Sequence, residues 1–366
     1  MRRIVLLGAF GSLGLLGCSG SDPAEPSGGG AAGSSQGQAG GGAASQAGST
    51  NGGSAGGDEG AGGAGMGGSS ASSAGTGGSV NAAGSAGTSA GGTEACGGPI
   101  ATEAPTPTSC DPAPAGSPAL PATALQVVND LRSKMGLPCM ALIAEINTSS
   151  QKHCDYYQQN IEDDACTANA HGEVATCPGF VDDSFAQRMK KAGYQGSPRS
   201  EVMAFSGDPE RAIAQWINSV YHRTPLLSPW IADMGYGSTA DCDTIDMGQG
   251  VMAPDSLTAL YPYPGQQNVP ISFDGSHEGP MPPEPPSGWP SASPIHLYVK
   301  SFTVQSHEVL VSDTCAPLEH QWLPDKDYYI LYPDKPFAKS TKYRVRIAGT
   351  KGNQPLSFDW TFTTAK

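Results

Sequence analysis

A glycine-rich segment near the N-terminus sets the strongest limit on what this chain folds into. Residues 21–100 hold 28 of the 50 glycines, no lysine or arginine, and five acidic residues. Ordering so many glycines costs more conformational entropy than the few apolar side chains here offset by burial. The composition therefore excludes a packed core and predicts a flexible, low-complexity linker over residues 19–95, with a root-mean-square span of about 50 Å.

The 366-residue chain as a whole carries little charge, and what it carries is mostly acidic. Charged residues make up 15% of the sequence and the net charge is −14. This net charge disfavours a protein that binds nucleic-acid phosphates through a broad basic surface, so we expect no nucleic-acid partner.

The first 18 residues are predicted to be an export signal. Two arginines follow Met1, and residues 4–16 form an apolar run of 13 residues, shorter than the roughly 20 that span a bilayer. The Leu-Leu-Gly before Cys18 resembles the bacterial lipobox, in which the cysteine becomes the lipidated first residue. This implies a membrane anchor of acyl chains on Cys18 and a place in the bacterial cell envelope, at the outer membrane or cell surface. The alternative is a plain secretory signal.

Eight cysteines remain when Cys18 is set aside. In an exported chain this even number predicts up to four disulfides, although eight cysteines permit 105 pairings. Proximity in sequence is the only guide, and it favours Cys96–Cys110 and Cys166–Cys177.

Residues 121–253 are predicted to be an α+β domain that follows a Pro-rich bridge at residues 96–120. The clearest helix has Asp208 as N-cap, Pro209 at its first position and an apolar stripe, and it is predicted to continue to His222. Helices are also predicted at residues 121–136, 142–161 and 185–193, and strands at residues 230–237 and 244–247.

In residues 254–366 the hydrophobic pattern changes to a period of two residues. Apolar and polar side chains alternate at residues 343–347 and 358–362, and further strands are predicted at residues 269–273, 295–299, 309–311 and 328–331. Short strands separated by Pro and Gly turns indicate a β-sandwich, with the domain boundary at residues 253–256.

Two histidines are candidates for chemistry. His171 lies in a loop between two cysteines, and the helical wheel places His222 opposite the apolar stripe of its helix, on a face that is either plain solvent or a cleft wall. Two histidines and a carboxylate suit Zn²⁺ with one open position. No HExxH spacing is present, so the residue types alone favour ordinary polar histidines over a metal site.

Ser219 precedes His222 by one helical turn and is close enough to contact it. The chain has no G-x-S-x-G motif around this serine, and a serine within a helix is usually a satisfied polar side chain. Ser219 and His222 therefore identify no catalytic nucleophile.

Several motifs, in order and with matching spacing, resemble the CAP superfamily (SCP-like; cysteine-rich secretory, antigen 5 and pathogenesis-related 1 proteins). They are Val128-Asn129-xx-Arg132, Gly136-Leu137-Pro138, Ala170-His171, Phe185-xx-Arg188-xxxx-Gly193-Tyr194, Glu201, Trp216-xx-Ser219-xx-His222-Arg223 and Met234-Gly235-Tyr236-Gly237. The Trp216 motif is similar to the bacterial branch of the superfamily.

This resemblance implies an α-β-α sandwich around a cavity lined by two histidines and two glutamates. His171 and His222 match the histidines that hold a divalent metal, and Glu201 matches one glutamate. Val202 replaces the asparagine that follows that glutamate, and the helix of Trp216 has no second glutamate. Residues 254–366 resemble bacterial Ig-like modules.

The fold class expected is thus α+β: a CAP-type α-β-α sandwich followed by an all-β Ig-like sandwich. The function expected is that of a lipid-anchored, non-enzymatic binding module. Its cleft is expected at His171, Glu201, Ser219 and His222. The cleft would bind Zn²⁺ or another divalent cation, a small hydrophobic ligand such as a sterol, or a surface partner. One alternative is a metal-dependent envelope hydrolase with Glu201 as general base. The other is a purely structural surface protein.

Overall fold

The structure, a computed structural model, describes Cys96, Gly98, residues 100–249 and residues 255–366. The predicted signal, Cys18 and the linker at residues 19–95 lie outside the described residues, as does the start of the predicted domain boundary. Within the described ranges, no helix has both the length and the apolarity needed to cross a membrane.

The first domain, called here the α+β domain, spans residues 119–249 and contains six helices and four strands. In chain order these are α1 (Ala119–Lys134), β1 (Ala141–Leu142), α2 (Ala144–Gln159), α3 (Asp164–Thr167), α4 (Phe185–Lys191), β2 (Ser197–Ala204), α5 (Pro209–Ile217), α6 (Arg223–Leu226), β3 (Asp233–Thr239) and β4 (Cys242–Gln249). The predicted mixture of helix and sheet is confirmed.

The four strands form one sheet in the order β1-β3-β4-β2, with β1 parallel to β3 and the other pairs antiparallel. Alternate side chains face opposite sides. Val202 and Ala204 join the core that α1 and α5 cover. On the other side, Gly235 and Gly237 leave room for the backbone of α2 to approach closely. The sheet is therefore sandwiched between helices.

Helix α5 begins as predicted but ends earlier than predicted. Asp208 caps it by accepting a hydrogen bond from the amide of Arg211 at 2.8 Å, and Pro209 is its first residue. The helix ends at Ile217, because Asn218 leaves helical geometry and turns its side chain to the β domain. His222 thus lies outside the helix, and the helical-wheel placement on a face opposite the core was wrong.

The second domain, called here the β domain, contains seven strands in two antiparallel sheets. The strands are β5 (Thr258–Tyr261), β6 (Ile295–Val299), β7 (Phe302–Val311), β8 (His320–Asp325), β9 (Tyr328–Pro333), β10 (Lys342–Lys351) and β11 (Gln354–Thr363). The sheet orders are β11-β10-β7 and β5-β6-β9-β8, and both sheets contribute to one apolar core. Of the strands predicted here, residues 269–273 make only isolated bridges.

The two domains share buried apolar contacts. Ala259, Tyr261 and Tyr298 of the β domain are part of the main core of the α+β domain. Val220 packs with Phe273 in a second, smaller cluster. The segment after α5 is thereby fixed against the β domain.

The Pro-rich bridge touches both domains. The amide of Thr102 donates to the carbonyl of Asp359 in β11 at 2.9 Å, and the amide of Thr108 donates to the carbonyl of Ser133 in α1 at 3.2 Å. The bridge is therefore held along its length rather than at its ends alone.

Four disulfides are present, which confirms the predicted number and the pair Cys166–Cys177. The pair Cys96–Cys110 was wrong: the others are Cys96–Cys315, Cys110–Cys139 and Cys154–Cys242. Three pairs bring together residues separated by 29 to 219 positions, and proximity in sequence has no information on such pairings.

Candidate functional site

Glu201 is the centre of a buried charge network on the α2 side of the sheet. It is the register partner of Asp246 in β4. Its side chain points to the opposite side of the sheet from that of its neighbour Val202, which joins the core under α1 and α5. One carboxylate oxygen contacts Nδ1 of His171 at 2.8 Å, and the other accepts a hydrogen bond from Arg188 at 2.6 Å. Both oxygens of Glu201 are therefore engaged by residues of the same domain.

Local structure fixes His171 where it meets Glu201. The Cys166–Cys177 disulfide closes the loop that carries it, and Oδ1 of Asn169 accepts a hydrogen bond from its amide at 3.1 Å. The guanidinium of Arg188 also donates to the carbonyl of His171 at 3.1 Å. Arg188 thus joins the loop that carries His171 to strand β2, which carries Glu201.

A second buried carboxylate, Glu173, extends the network. Its Oε1 lies 2.9 Å from Nδ1 of His153 and 3.6 Å from Nε of Arg188, and its Oε2 accepts hydrogen bonds from the amides of Val181 and Asp182. Glu173 joins helix α2 to the loop before α4. His153 is fully buried within this network.

The network shifts two carboxyl pKa values in opposite directions. Burial by itself raises the pKa of Glu201, but the charge of Arg188, with His153 and His171, holds it well below its usual range. Burial raises the pKa of Asp246 well above its usual range, and the nearby carboxylate of Glu201 adds to this. Glu201 is therefore the ionised member of the pair and Asp246 the protonated one.

His222 contacts a different set of residues. Its Nδ1 is 2.8 Å from the hydroxyl of Ser219, which confirms the predicted contact, and 3.5 Å from Oε1 of Glu278 in the β domain. The backbone amide of His222 donates to the same hydroxyl at 3.1 Å. All three side chains are buried.

A pocket of about 360 Å³ lies between the two domains, with His222 in its wall. Its lining includes the aromatic residues Tyr221, Trp230, Tyr298 and Tyr328, together with the polar residues Ser200, Asp325 and Asp327. Its volume falls in the range of small-molecule sites.

The structure brings the predicted site residues together as two pairs, His171 with Glu201 and Ser219 with His222. Within residues 100–249 and 255–366, no group of three or more His, Cys, Asp or Glu side chains is arranged to hold a metal ion. Metal binding by His171 and His222 stays a prediction.

Sequence reasoning missed the roles of three residues. Arg188 belongs to a quoted motif, but nothing in its spacing assigned it to Glu201. Glu173 is adjacent to the His171 motif and was not singled out. Glu278 lies in a Pro-rich stretch of the other domain, and no local pattern connects it to His222.

Comparison with known proteins identifies the first domain. Residues 125–247 match the family model described as CAP, the cysteine-rich secretory protein family. These residues are a CAP domain, which confirms the resemblance over this range.

A search of curated proteins finds no match to this chain. Among solved structures, an extracellular protein containing an SCP domain from Bacillus anthracis str. Ames is similar, at 20% sequence identity over 36% of this chain, with a TM-score of 0.30. The chain spans 40% of the length of that structure.

Proposed function

We propose that this chain is an exported, lipid-anchored protein whose CAP domain is a non-enzymatic binding module, with a small ligand held in the pocket at His222. The observation that carries this proposal is the pocket itself, because a buried imidazole and four aromatic side chains meet around about 360 Å³ of space. Such a combination of apolar walls and a few convergent polar groups is typical of ligand sites.

Export is supported by the disulfides, and the anchor by the lipobox-like sequence. Four disulfides suit an oxidising compartment outside the cytosol. Acyl chains on Cys18 would attach the mature protein to a membrane of the cell envelope. The test is detergent-phase partitioning of the full chain: the wild type is expected in the detergent phase and Cys18→Ala in the aqueous phase. A wild type that stays aqueous would refute the anchor.

The chemistry of Glu201 favours binding over hydrolysis. In the alternative, a metal-dependent hydrolase, Glu201 is the general base for a water on a metal held by His171 and His222. A carboxylate whose pKa is held well below its usual range by Arg188 is a weak base. Its ion pair with Arg188 instead suits a structural role in the domain.

Calorimetry and thermal unfolding of the full chain test the binding proposal. The probes are Zn²⁺ and cholesterol, because these represent the divalent cation and the small hydrophobic ligand that the sequence analysis expects. A bound probe raises the melting temperature, and His222→Ala is expected to abolish that rise. His277→Ala is the matched control, because His277 is exposed and lies outside the pocket lining.

Two outcomes decide against the proposal. If neither probe binds, the chain is not the module proposed, and a purely structural surface protein becomes the better description. If Zn²⁺ binds and an ester or peptide substrate is turned over in a chelator-sensitive way, lost in both His171→Ala and His222→Ala, the hydrolase alternative holds.

A further inference from the structure

Two histidines of the β domain, His307 and His320, meet between its two sheets. His307 lies on β7 and His320 on β8, and these strands are at the edges of the two sheets. The register partner of His307 is Ile347, which belongs to the apolar core, so His307 faces the interior. Trp322 follows His320 by two residues and packs against the same core, so His320 also faces inward. Both histidines remain partly exposed.

The two imidazole rings are in direct contact. Nδ1 of His307 lies 2.8 Å from Nε2 of His320, and the ring centroids are 5.0 Å apart. The other nitrogen of His320, Nδ1, lies 2.8 Å from the carbonyl oxygen of Leu318. A carbonyl oxygen only accepts hydrogen bonds, so Nδ1 of His320 is the donor. The lone pair of the neutral ring is therefore on Nε2, the nitrogen that meets His307.

Each ring is held by a neighbouring group. A hydrogen bond from one ring nitrogen to a backbone carbonyl is a contact that commonly orients metal-binding histidines, and His320 makes this contact with Leu318. The ring of His307 stacks on the indole of Trp322, with the centroids 4.1 Å apart and the planes 7° from parallel. Because both rings are already ordered, little side-chain entropy remains to be lost when a ligand binds them.

The spacing of the rings suits a shared metal ion. A metal–nitrogen bond of about 2.0–2.1 Å places each ring centroid about 3.2 Å from the ion, so two imidazoles at about 90–109° have centroids about 4.5–5.2 Å apart. The observed spacing of 5.0 Å lies in this range. The rings can therefore accept an ion by pivoting about their centroids, with strands β7 and β8 left in place.

We propose that His307 and His320 bind a Cu²⁺ ion between the two sheets of the β domain, through Nδ1 of His307 and Nε2 of His320. The ion replaces the hydrogen bond between the rings, and the proton on Nδ1 of His307 moves to Nε2 of the same ring. Both imidazoles thus stay neutral and no proton is released.

The ligand types favour Cu²⁺ among the divalent metals. Imidazole suits copper, zinc and nickel, and affinity for such sites is highest for Cu²⁺ in the first-row series. Within the part of the chain that the structure describes, the pair is not joined by a third His, Cys, Asp or Glu ligand, so the proposal assigns the other coordination positions to water. Neither histidine lines the pocket at His222, and the copper site is independent of the function proposed for that pocket.

Titration of the full chain with Cu²⁺, followed by tryptophan fluorescence, tests the site. Paramagnetic Cu²⁺ quenches a nearby indole, and Trp322 stacks directly on His307. We expect saturable quenching with one equivalent of Cu²⁺. Trp322→Phe is expected to lose most of this quenching, whereas calorimetry of the same variant should still show the ion bound.

Two variants remove the imidazole ligands and keep the hydrogen bond between the strands. The amide of His307→Asn stands near the place of Nδ1, and the amide of His320→Gln stands near the place of Nε2. Each variant is expected to bind Cu²⁺ at least about tenfold more weakly, because one of the two protein ligands is lost. His277→Asn is the matched control, since His277 is an exposed histidine of the same domain, and its binding is expected to equal that of the wild type.

Electron paramagnetic resonance of the one-to-one complex counts the nitrogen ligands. We expect hyperfine splitting from two nitrogens in the wild type and from fewer in His307→Asn and His320→Gln. A wild-type spectrum without two nitrogen ligands, or a quenching midpoint that is the same in these variants as in the wild type, overturns the proposal. His222→Ala is expected to leave the quenching of Trp322 unchanged, so failure of this site and failure of the pocket at His222 are told apart.

Discussion

Arg188 and Glu201 form a buried ion pair, with an N–O distance of 2.6 Å, that joins helix α4 to strand β2 of the CAP domain. Neither side chain is more than 1% exposed. Burial makes such a pair costly to form and more costly to break, because removal of one partner leaves the other charge uncompensated.

Replacement of Arg188 with methionine is expected to lower the free energy of unfolding by about 3–5 kcal/mol, because Glu201 loses its compensating charge. Urea denaturation measures this. Lys191→Met is the control, since it breaks the more exposed pair with Asp182 and is expected to change stability by less than about 1 kcal/mol. Equal effects in the two variants would contradict the structural role of Arg188.

The free energy of unfolding of Asp246→Asn is expected to increase relative to that of the wild type as pH rises. The pKa of Asp246 is raised in the fold, so its contribution to stability is present in acid. That contribution is lost as pH rises from about 4, near the unfolded pKa, toward the raised folded value. Asparagine does not titrate, so the variant does not lose stability in this way. Its amide oxygen can still accept the hydrogen bond that the hydroxyl of Ser150 donates to Oδ2 of Asp246 in the wild type.

Urea denaturation at pH 4, 5.5 and 7 measures this difference. The gap between Asp246→Asn and the wild type should widen over the series. Asp130→Asn, at an exposed position of α1, should show no comparable trend. A gap that is constant with pH would show that Asp246 is not protonated in the fold.

Gly237→Ala is expected to lower the free energy of unfolding by more than about 3 kcal/mol, because the added Cβ would overlap the backbone of α2 at Ser150 and Gln151. Thermal and urea unfolding measure the loss. Gly352→Ala is the control: its φ of 60° gives strain of about 1–2 kcal/mol, but no atom lies within 4 Å of the added Cβ. A mild effect at Gly237 would mean that α2 lies further from the sheet.

Removal of the Cys154–Cys242 disulfide by paired alanines is expected to cost about 2 kcal/mol more than removal of Cys166–Cys177. The first disulfide joins cysteines that are 88 residues apart and the second joins cysteines that are 11 residues apart. A disulfide lowers the conformational entropy of the unfolded chain by an amount that grows with the logarithm of the loop length. Urea denaturation ranks the two variants, and the reverse order would count against this mechanism.

Periodicity and caps predicted most of the helices of the CAP domain, and they failed where tertiary contacts decide. Helix α5 has its predicted start, but its end depends on Asn218, which bonds to Ser272 and Ser293 of the other domain. Strand β2 was not predicted, because Pro198 and the charged side chains near it resemble a loop. It is an edge strand with a bulge at that proline.

The candidate site shows the same division. The resemblance to a known family connected His171 with Glu201. The spacing of three residues connected Ser219 with His222, although the two make their contact in the turn after helix α5 has ended rather than within the helix. Glu278 was beyond both kinds of reasoning, since it follows His222 by more than 50 residues and reaches it only through the packing of two domains. Contacts that depend on such packing have no local pattern in a single sequence.

The Cys96–Cys315 disulfide determines how the protein carries mechanical load. A pull on the chain ahead of Cys96 passes directly through the sulfur atoms to Cys315. Residues 97–314, which include the whole CAP domain, form a closed covalent ring outside that path. Tension between the chain ahead of Cys96 and the residues after Cys315 is therefore carried by covalent bonds, and the CAP domain that contributes His222 lies outside that path.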